Sequence, residues 1–259
     1  ATVLFTDIRN FTALTEELGP QGTVGLLNEY FTIMVDCLQR EGGTLDKFIG
    51  DAMMAAFGIP ISRGDDEDRA VRAAVSMIIE LARWNEQRTG NGLPEIDMGV
   101  GLNTAEVVSG NIGSPKRMDY TMIGDGVNLA ARLESACKQY HARILISENT
   151  LRRLRGTYRI RAVDRVVVKG KSEPVGIHEV LDYHTELTFP NMSKVLIGFE
   201  DGLNLYRQGR FAEAIAAFHN VLELNDRDRL PHLYIDRCRQ LITDPPGEDW
   251  NGVWVLTEK

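Results

Sequence analysis

Strand-sized apolar runs alternate with longer helical stretches from residue 1 to about residue 184, and this alternation commits the first part of the chain to a mixed α/β (α+β) fold. Residues 2–6 read as a strand, residues 21–39 as a helix, and two short runs about Ile49-Gly50-Asp51 as a hairpin. Residues 65–88 open with acids and carry Val71, Ala74, Val75, Ile78, Leu81 and Ala82 at helical spacing, so they predict an amphipathic helix. Residues 96–102 alternate as a strand, 126–139 return to helix, and 158–168 with 175–181 predict late β-structure.

After residue 184 the texture changes. Residues 195–207 and 211–224 predict two helices joined by Gln208-Gly209-Arg210 with no strand between them, so 190–259 reads as an all-helical segment and tail. Gly202, Gly209, Phe211, Ala214, Phe218 and Val221 are spaced as in one tetratricopeptide repeat, where small residues let antiparallel helices approach closely. A plain helical hairpin fits the spacing equally well, since one repeat cannot bury a continuous face alone. Pro245-Pro246-Gly247 then predicts a surface linker, ending in an aromatic patch at Trp250 and Trp254.

Several function classes are excluded. No run approaches the 18 apolar residues or so of a membrane span. With 29 Lys and Arg against 37 Asp and Glu, the net charge of −8 repels polyanions, which argues against nucleic-acid binding. Cys37, Cys137 and Cys238 are odd in number and far apart, which suggests neither a disulfide framework nor a zinc ribbon and fits a cytoplasmic setting. The opening strand has no initiator Met or leader architecture, so the chain reads as a fragment with regulatory domains expected upstream.

Three constellations carry chemistry. In Phe5-Thr6-Asp7-Ile8-Arg9-Asn10-Phe11-Thr12 an acid stands where a strand ends, before a helix start with outward backbone N–H groups, a setting for a metal-bound phosphate. Phe48-Ile49-Gly50-Asp51 places a second acid at a hairpin turn, and a divalent ion favours carboxylates converging from separate loops. Taken singly, Asp7 could cap a helix and Asp51 could suit a turn. In Thr121-Met122-Ile123-Gly124-Asp125-Gly126-Val127-Asn128-Leu129-Ala130-Ala131-Arg132, Asn128 and Arg132 are four apart on one helix face. Asn can fix a hydroxyl, and Arg offers a fork of donors for phosphate oxygens.

Together these segments resemble the class III nucleotide cyclases, the adenylyl and guanylyl cyclase catalytic domains. The resemblance covers residues 1–184 and rests on five ordered motifs: Phe5-Thr6-Asp7-Ile8, Lys47-Phe48-Ile49-Gly50-Asp51, Gly110-Asn111-Ile112-Gly113, the Gly124 to Arg132 run, and Val168-Lys169-Gly170. It implies a ferredoxin-like core and a head-to-tail homodimer with shared sites. In each site Asp7, Asp51 and the carbonyl of Ile8 hold two divalent cations, Mg²⁺ or Mn²⁺. The partner protomer supplies Lys47, Thr121, Asn128 and Arg132, and Lys169 binds the outer phosphates. The implied reaction is attack of a ribose 3′ oxygen on the α-phosphorus of ATP, releasing pyrophosphate and closing 3′,5′-cyclic AMP.

Base choice rests on Lys47 and Thr121, the positions that contact the purine in this family. Lys47 can donate to an adenine ring nitrogen and Thr121 can accept from the exocyclic amine. Guanylyl cyclases typically carry Glu and Cys there, and many adenylyl cyclases carry Asp in place of Thr121. The Lys and Thr pair resembles the soluble, bicarbonate-responsive adenylyl cyclase subset, so bicarbonate enters as an expected effector. The rivals are a guanylyl cyclase, a diguanylate cyclase or polymerase palm, whose two adjacent acids are missing, and a nucleotide-sensing module without turnover.

Overall fold

Strand β1 (Thr2–Ile8) lies at the centre of the first unit of the chain, antiparallel to both β3 (Ala52–Phe57) and β4 (Met98–Thr104). The computed structural model describes residues 1–167, 174–247 and 250–255. They fall into two compact units, Ala1–Gln139 with Arg143–Tyr158, and Tyr140–Ala142 with Arg159–Lys259. The expected late strands thus belong to the second unit. Among the described residues no helix is long and apolar enough to cross a membrane.

In the first unit the strands run β7-β4-β1-β3-β2, with β2 (Thr44–Ile49) at one edge and β7 (Ile144–Ser147) parallel to β4. Successive side chains alternate between the two faces of β1. On one face Thr6 meets the buried Tyr30 hydroxyl of α1 (Phe11–Arg40) at 3.4 Å, and α2 (Asp66–Gly90) packs against α1. On the other, Val3 and Phe5 pack with Val127 and Ala130 of α3 (Asp125–Tyr140) and with Met54 and Met122. Asp7 follows in that same alternation, so it emerges on the α3 face. A short α4 (Glu148–Leu151) follows β7, and β5 (Val108–Ser114) pairs with β6 (Arg117–Ile123) in a separate hairpin.

Two glycines set how closely α3 approaches the sheet. A Cβ at Gly101 would lie 2.9 Å from Glu134 Cα and closer still to Glu134 N and Ala130 O, and one at Gly99 would meet Glu134 Oε1 at 2.6 Å. At the start of α2, the buried Asp68 accepts from the amides of Arg155 (3.1 Å) and Gly156 (2.7 Å) and from the Tyr158 hydroxyl (2.9 Å). Burial opposes its charge, but those three donors hold its carboxyl below the usual range.

The first helix begins ten residues earlier than residues 21–39 suggest. Gly19 adopts φ +67° and Pro20 lacks an N–H, so α1 is broken there, and regular apolar spacing is visible only beyond the break.

In the second unit β8 (Ile160–Val167) is antiparallel to β9 (Val175–Val180), and β10 (Trp254–Val255) adds to β8 in parallel. Helices α5 (Met192–Arg207) and α6 (Phe211–Leu224) meet through Phe199 and Phe218, whose ring centroids are 5.4 Å apart. Gly202 leaves room there, since a Cβ would lie 2.7 Å from the Phe218 ring. A third helix, α7 (Leu230–Thr243), stacks Tyr234 on Phe218 at 5.3 Å. Two buried ion clusters tie α7 and its approach to β8. Arg161 is held by Glu179 (2.8 Å) and Asp228 (2.5 Å), and Asp164 accepts from Arg237 (2.6 Å) and Tyr140 (2.7 Å).

The expectation of an all-helical second segment is therefore corrected by β10, and that of two helices by α7. Charged Arg237 is buried within the apolar stripe of α7, against Asp164, which masks the stripe in the sequence. Trp250 is not a loose surface aromatic: its indole N–H donates to the Tyr206 carbonyl at 3.2 Å, and its ring packs edge-on to Tyr206 and Phe211. The three cysteines are buried, and among the described residues none forms a disulfide.

Candidate active site

Strand register brings the two predicted acids together. Thr6 of β1 faces Met53 of β3, so Asp7 and Asp51 emerge at the same end of neighbouring strands, with Asp51 held in the turn by Gly50 at φ +65°. Their carboxyls are close enough to hydrogen-bond. Burial, that hydrogen bond and the charges of Asp51 and Glu134 push the Asp7 carboxyl up to about 7, against the pull of the Ile8 amide. Ile8 itself is buried in the β1 ladder opposite Met98.

Two carboxyls that repel until a proton comes between them form a site where a divalent cation can take that proton's place. The donor set fits such an ion: hard carboxylate oxygens from two separate segments.

Glu134 is a third acid that the sequence motifs did not single out. It lies on α3 against Gly99, the β4 residue that faces Asp7. Burial pushes its carboxyl up to about 7, with Arg9 and the Ser135 hydroxyl pulling down and Asp51 pushing up. The available signal was Gly99-Val100-Gly101, since glycines on alternate strand positions mark a close approach by another element.

The second group lies at the β2 edge. Thr121 of β6, almost fully buried, donates its hydroxyl hydrogen to Asp46 Oδ2 at 2.9 Å, and the Lys47 ammonium stands 3.5 Å from the same oxygen. The ladder between β2 and β3 shifts register between Leu45 and Lys47, so Asp46 occupies a β-bulge. The structure thus brings Lys47 and Thr121 together through a residue that the sequence analysis passed over.

Asn128 and Arg132 occupy the exposed side of α3, one turn apart. Lys169 lies outside the described residues. Phe48, Ile49, Val108, Met118, Tyr120 and Ile123 are exposed on the β2–β3 turn and the β5–β6 hairpin, near these side chains in sequence.

Comparison with known proteins identifies the family. The family model described as "Adenylate and Guanylate cyclase catalytic domain" matches residues 1–184. The chain is 38% identical over 246 residues to "Adenylate cyclase, terminal-differentiation specific" of Dictyostelium discoideum, covering 93% of this chain and 11% of that protein. It is 40% identical over 186 residues to "Adenylate cyclase" of Anabaena cylindrica, covering 69% and 36% respectively. It therefore spans well under two thirds of these relatives' length. Among solved structures, the adenylyl cyclase CyaB from P. aeruginosa is similar with TM-score 0.65 and 39% identity, over 70% of this chain and 93% of that one. The guanylyl cyclase Cya2 is similar with TM-score 0.62 and 42% identity, over 69% and 90%.

Proposed function

The chain belongs to the adenylate and guanylate cyclase catalytic domain family, and from that premise we propose that it is an adenylyl cyclase converting ATP to 3′,5′-cyclic AMP and pyrophosphate. The observation that carries the reading is the facing pair Asp7 and Asp51 at the end of β1 and β3. Asp7, Asp51 and the Ile8 carbonyl would hold two divalent cations, Mg²⁺ or Mn²⁺, which supply charge neutralisation for the triphosphate and acidify the ribose 3′ hydroxyl.

The chain's own groups do the rest. Arg132 directs its guanidinium to the oxygens around the α-phosphorus, where charge grows as the 3′ oxygen bonds and the bond to pyrophosphate breaks. Asn128 orients the ribose by hydrogen bonds, and Lys169 draws in the outer phosphates. Lys47 donates to an adenine ring nitrogen while Thr121 accepts from the exocyclic amine.

The site is complete only in a homodimer, in which Asp7 and Asp51 of one protomer work with Lys47, Thr121, Asn128 and Arg132 of its partner, twice over by two-fold symmetry. The exposed apolar residues about β2–β3 and β5–β6 support a surface that a second copy covers. Residues 1–184 form the catalytic domain on this reading, and 190–259 a TPR-like helical segment followed by a tail, supported by the Gly202 and Phe218 contact. The buried thiols support a cytoplasmic setting, and the greater length of the relatives supports regulatory domains upstream. The Lys47 and Thr121 pair supports bicarbonate as an effector; a rate that bicarbonate leaves unchanged at constant pH and chloride would remove it.

A guanylyl cyclase is the second reading, favoured by the likeness to Cya2. Product identification decides between them: the purified chain is incubated with ATP or GTP and Mn²⁺ or Mg²⁺, with Asp7→Ala alongside. Cyclic AMP from the wild type and none from the variant is expected. Cyclic GMP alone would transfer the reading to guanylyl cyclase, and no cyclic product from a folded dimer would leave a nucleotide-sensing module.

A further inference from the structure

We propose that Asp46 is a positioning residue for base selection, fixing the Thr121 hydroxyl as a pure acceptor and so making the chain read adenine rather than guanine. The inference rests on the assignment of Lys47 and Thr121 to the purine.

A threonine hydroxyl is ambivalent: it has one proton to give and two lone pairs to offer, and it rotates to suit its partner. Left alone it could accept from the exocyclic amine of adenine or donate to the O6 carbonyl of guanine, and would discriminate poorly. Here the choice is removed. The Thr121 hydroxyl lies 2.9 Å from Asp46 Oδ2, and a carboxylate oxygen has no proton to give, so the hydroxyl hydrogen points at Asp46. Both groups are shielded, the Asp46 side chain at 4% exposure and Thr121 at 9%, so water competes little for the bond. What remains on Thr121 is lone pairs alone. An exocyclic N–H satisfies them, whereas a carbonyl oxygen at that place would meet acceptor with acceptor and leave a polar pair unsatisfied.

The backbone explains how the carboxylate comes to be there. In a regular strand Asp46 and Lys47 would point to opposite faces. The bulge between Leu45 and Lys47 breaks the alternation, and both side chains converge, with Lys47 Nζ 3.5 Å from the same Asp46 oxygen. One carboxylate thus orients both purine-reading groups: it takes the proton of Thr121 and faces the ammonium of Lys47, whose other protons stay available to a ring nitrogen.

The test compares binding of 3′-deoxy-ATP and 3′-deoxy-GTP, which lack the attacking hydroxyl and cannot cyclise, by titration calorimetry with Mn²⁺, alongside kcat/KM for ATP and GTP. Wild type should favour the adenine nucleotide. Asp46→Ala, and Asp46→Ser should the alanine variant unfold, should lower that preference by about tenfold, with guanine binding rising in absolute terms. Thr121→Val should lose the preference to a similar degree, and adding Asp46→Ala to it should cost less selectivity than Asp46→Ala costs in the wild type, the remainder being its hold on Lys47. If Asp46 only braces β2, both nucleotides will weaken by the same factor and the preference will stand, which overturns the proposal. An unchanged preference in Thr121→Val would overturn the purine assignment itself, and this inference with it.

Discussion

Gly101→Ala places a methyl group where α3 crosses β4, and the structure allows its cost to be worked out. The new Cβ would lie 2.9 Å from Glu134 Cα and nearer still to Glu134 N and Ala130 O, all backbone atoms that cannot swing aside. An ordinary carbon contact is about 3.5–4 Å, so the helix must retreat by about 1 Å or the strand must buckle. Overpacking of this kind costs about 2–3 kcal/mol, a fall in Tm of about 4–12 °C for a domain of this size. The retreat also carries Glu134 away from Asp7 and shifts Asn128 and Arg132 within the site they share with the partner protomer, and a misplacement of about 1 Å can cost about a hundredfold in kcat. Gly25→Ala is the matched control. It lies within α1 with nothing inside 4 Å, so it should raise stability by about 0.5–1 kcal/mol through helix propensity and leave kcat alone. Thermal unfolding followed by circular dichroism, with initial rates of cyclic nucleotide formation, reads both quantities. If Gly101→Ala melts and turns over like the wild type, the close crossing of α3 does not set the site.

Arg132→Ala should lower kcat by about 10²–10³-fold with a smaller effect on KM, as for a group engaged mainly in the transition state; a raised KM with kcat intact would contradict that role. Mixing inactive Asp51→Ala with inactive Asn128→Ala should restore about a quarter of wild-type activity, because half of randomly paired dimers hold one intact site. No recovery despite verified subunit exchange would rule out sites shared between protomers. Asp68 contributes stability through a depressed carboxyl pKa, present above the unfolded value of about 3.9 and lost as pH falls through its lower folded value. Asp68→Asn should therefore destabilise at pH 7 and flatten the decline in stability below about pH 4, as read by urea midpoints across pH.

Asp7 and Asp51 were legible because each stands at a strand or turn boundary, where residue type alone suggests a task. Asn128 and Arg132 were legible because helical spacing puts them on one face. Asp46 and Glu134 were not. The partner of Asp46 is 75 residues away on β6, and a bulge, which leaves no periodic trace, turns it there. Glu134 reads as one more polar helix position until the glycines of β4 draw α3 down on it. The α/β alternation was plain, whereas α7 was hidden by Arg237, a charge that is buried only because Asp164 waits 73 residues upstream. Local pattern reveals what neighbours dictate, and it is blind to pairings made across the fold.

Heredity moves domains most readily as cassettes cut at exposed linkers. In this chain a cut at residue 184, where the family match ends, would strip Asp228 from Arg161 and Arg237 from Asp164, stranding charges that sit in the dark of the second unit. A chain that kept the cyclase region without these helices would leave Arg161 to Glu179 and Asp164 to Tyr140. The helices beyond residue 184 therefore belong to what keeps the last strands of the family region folded.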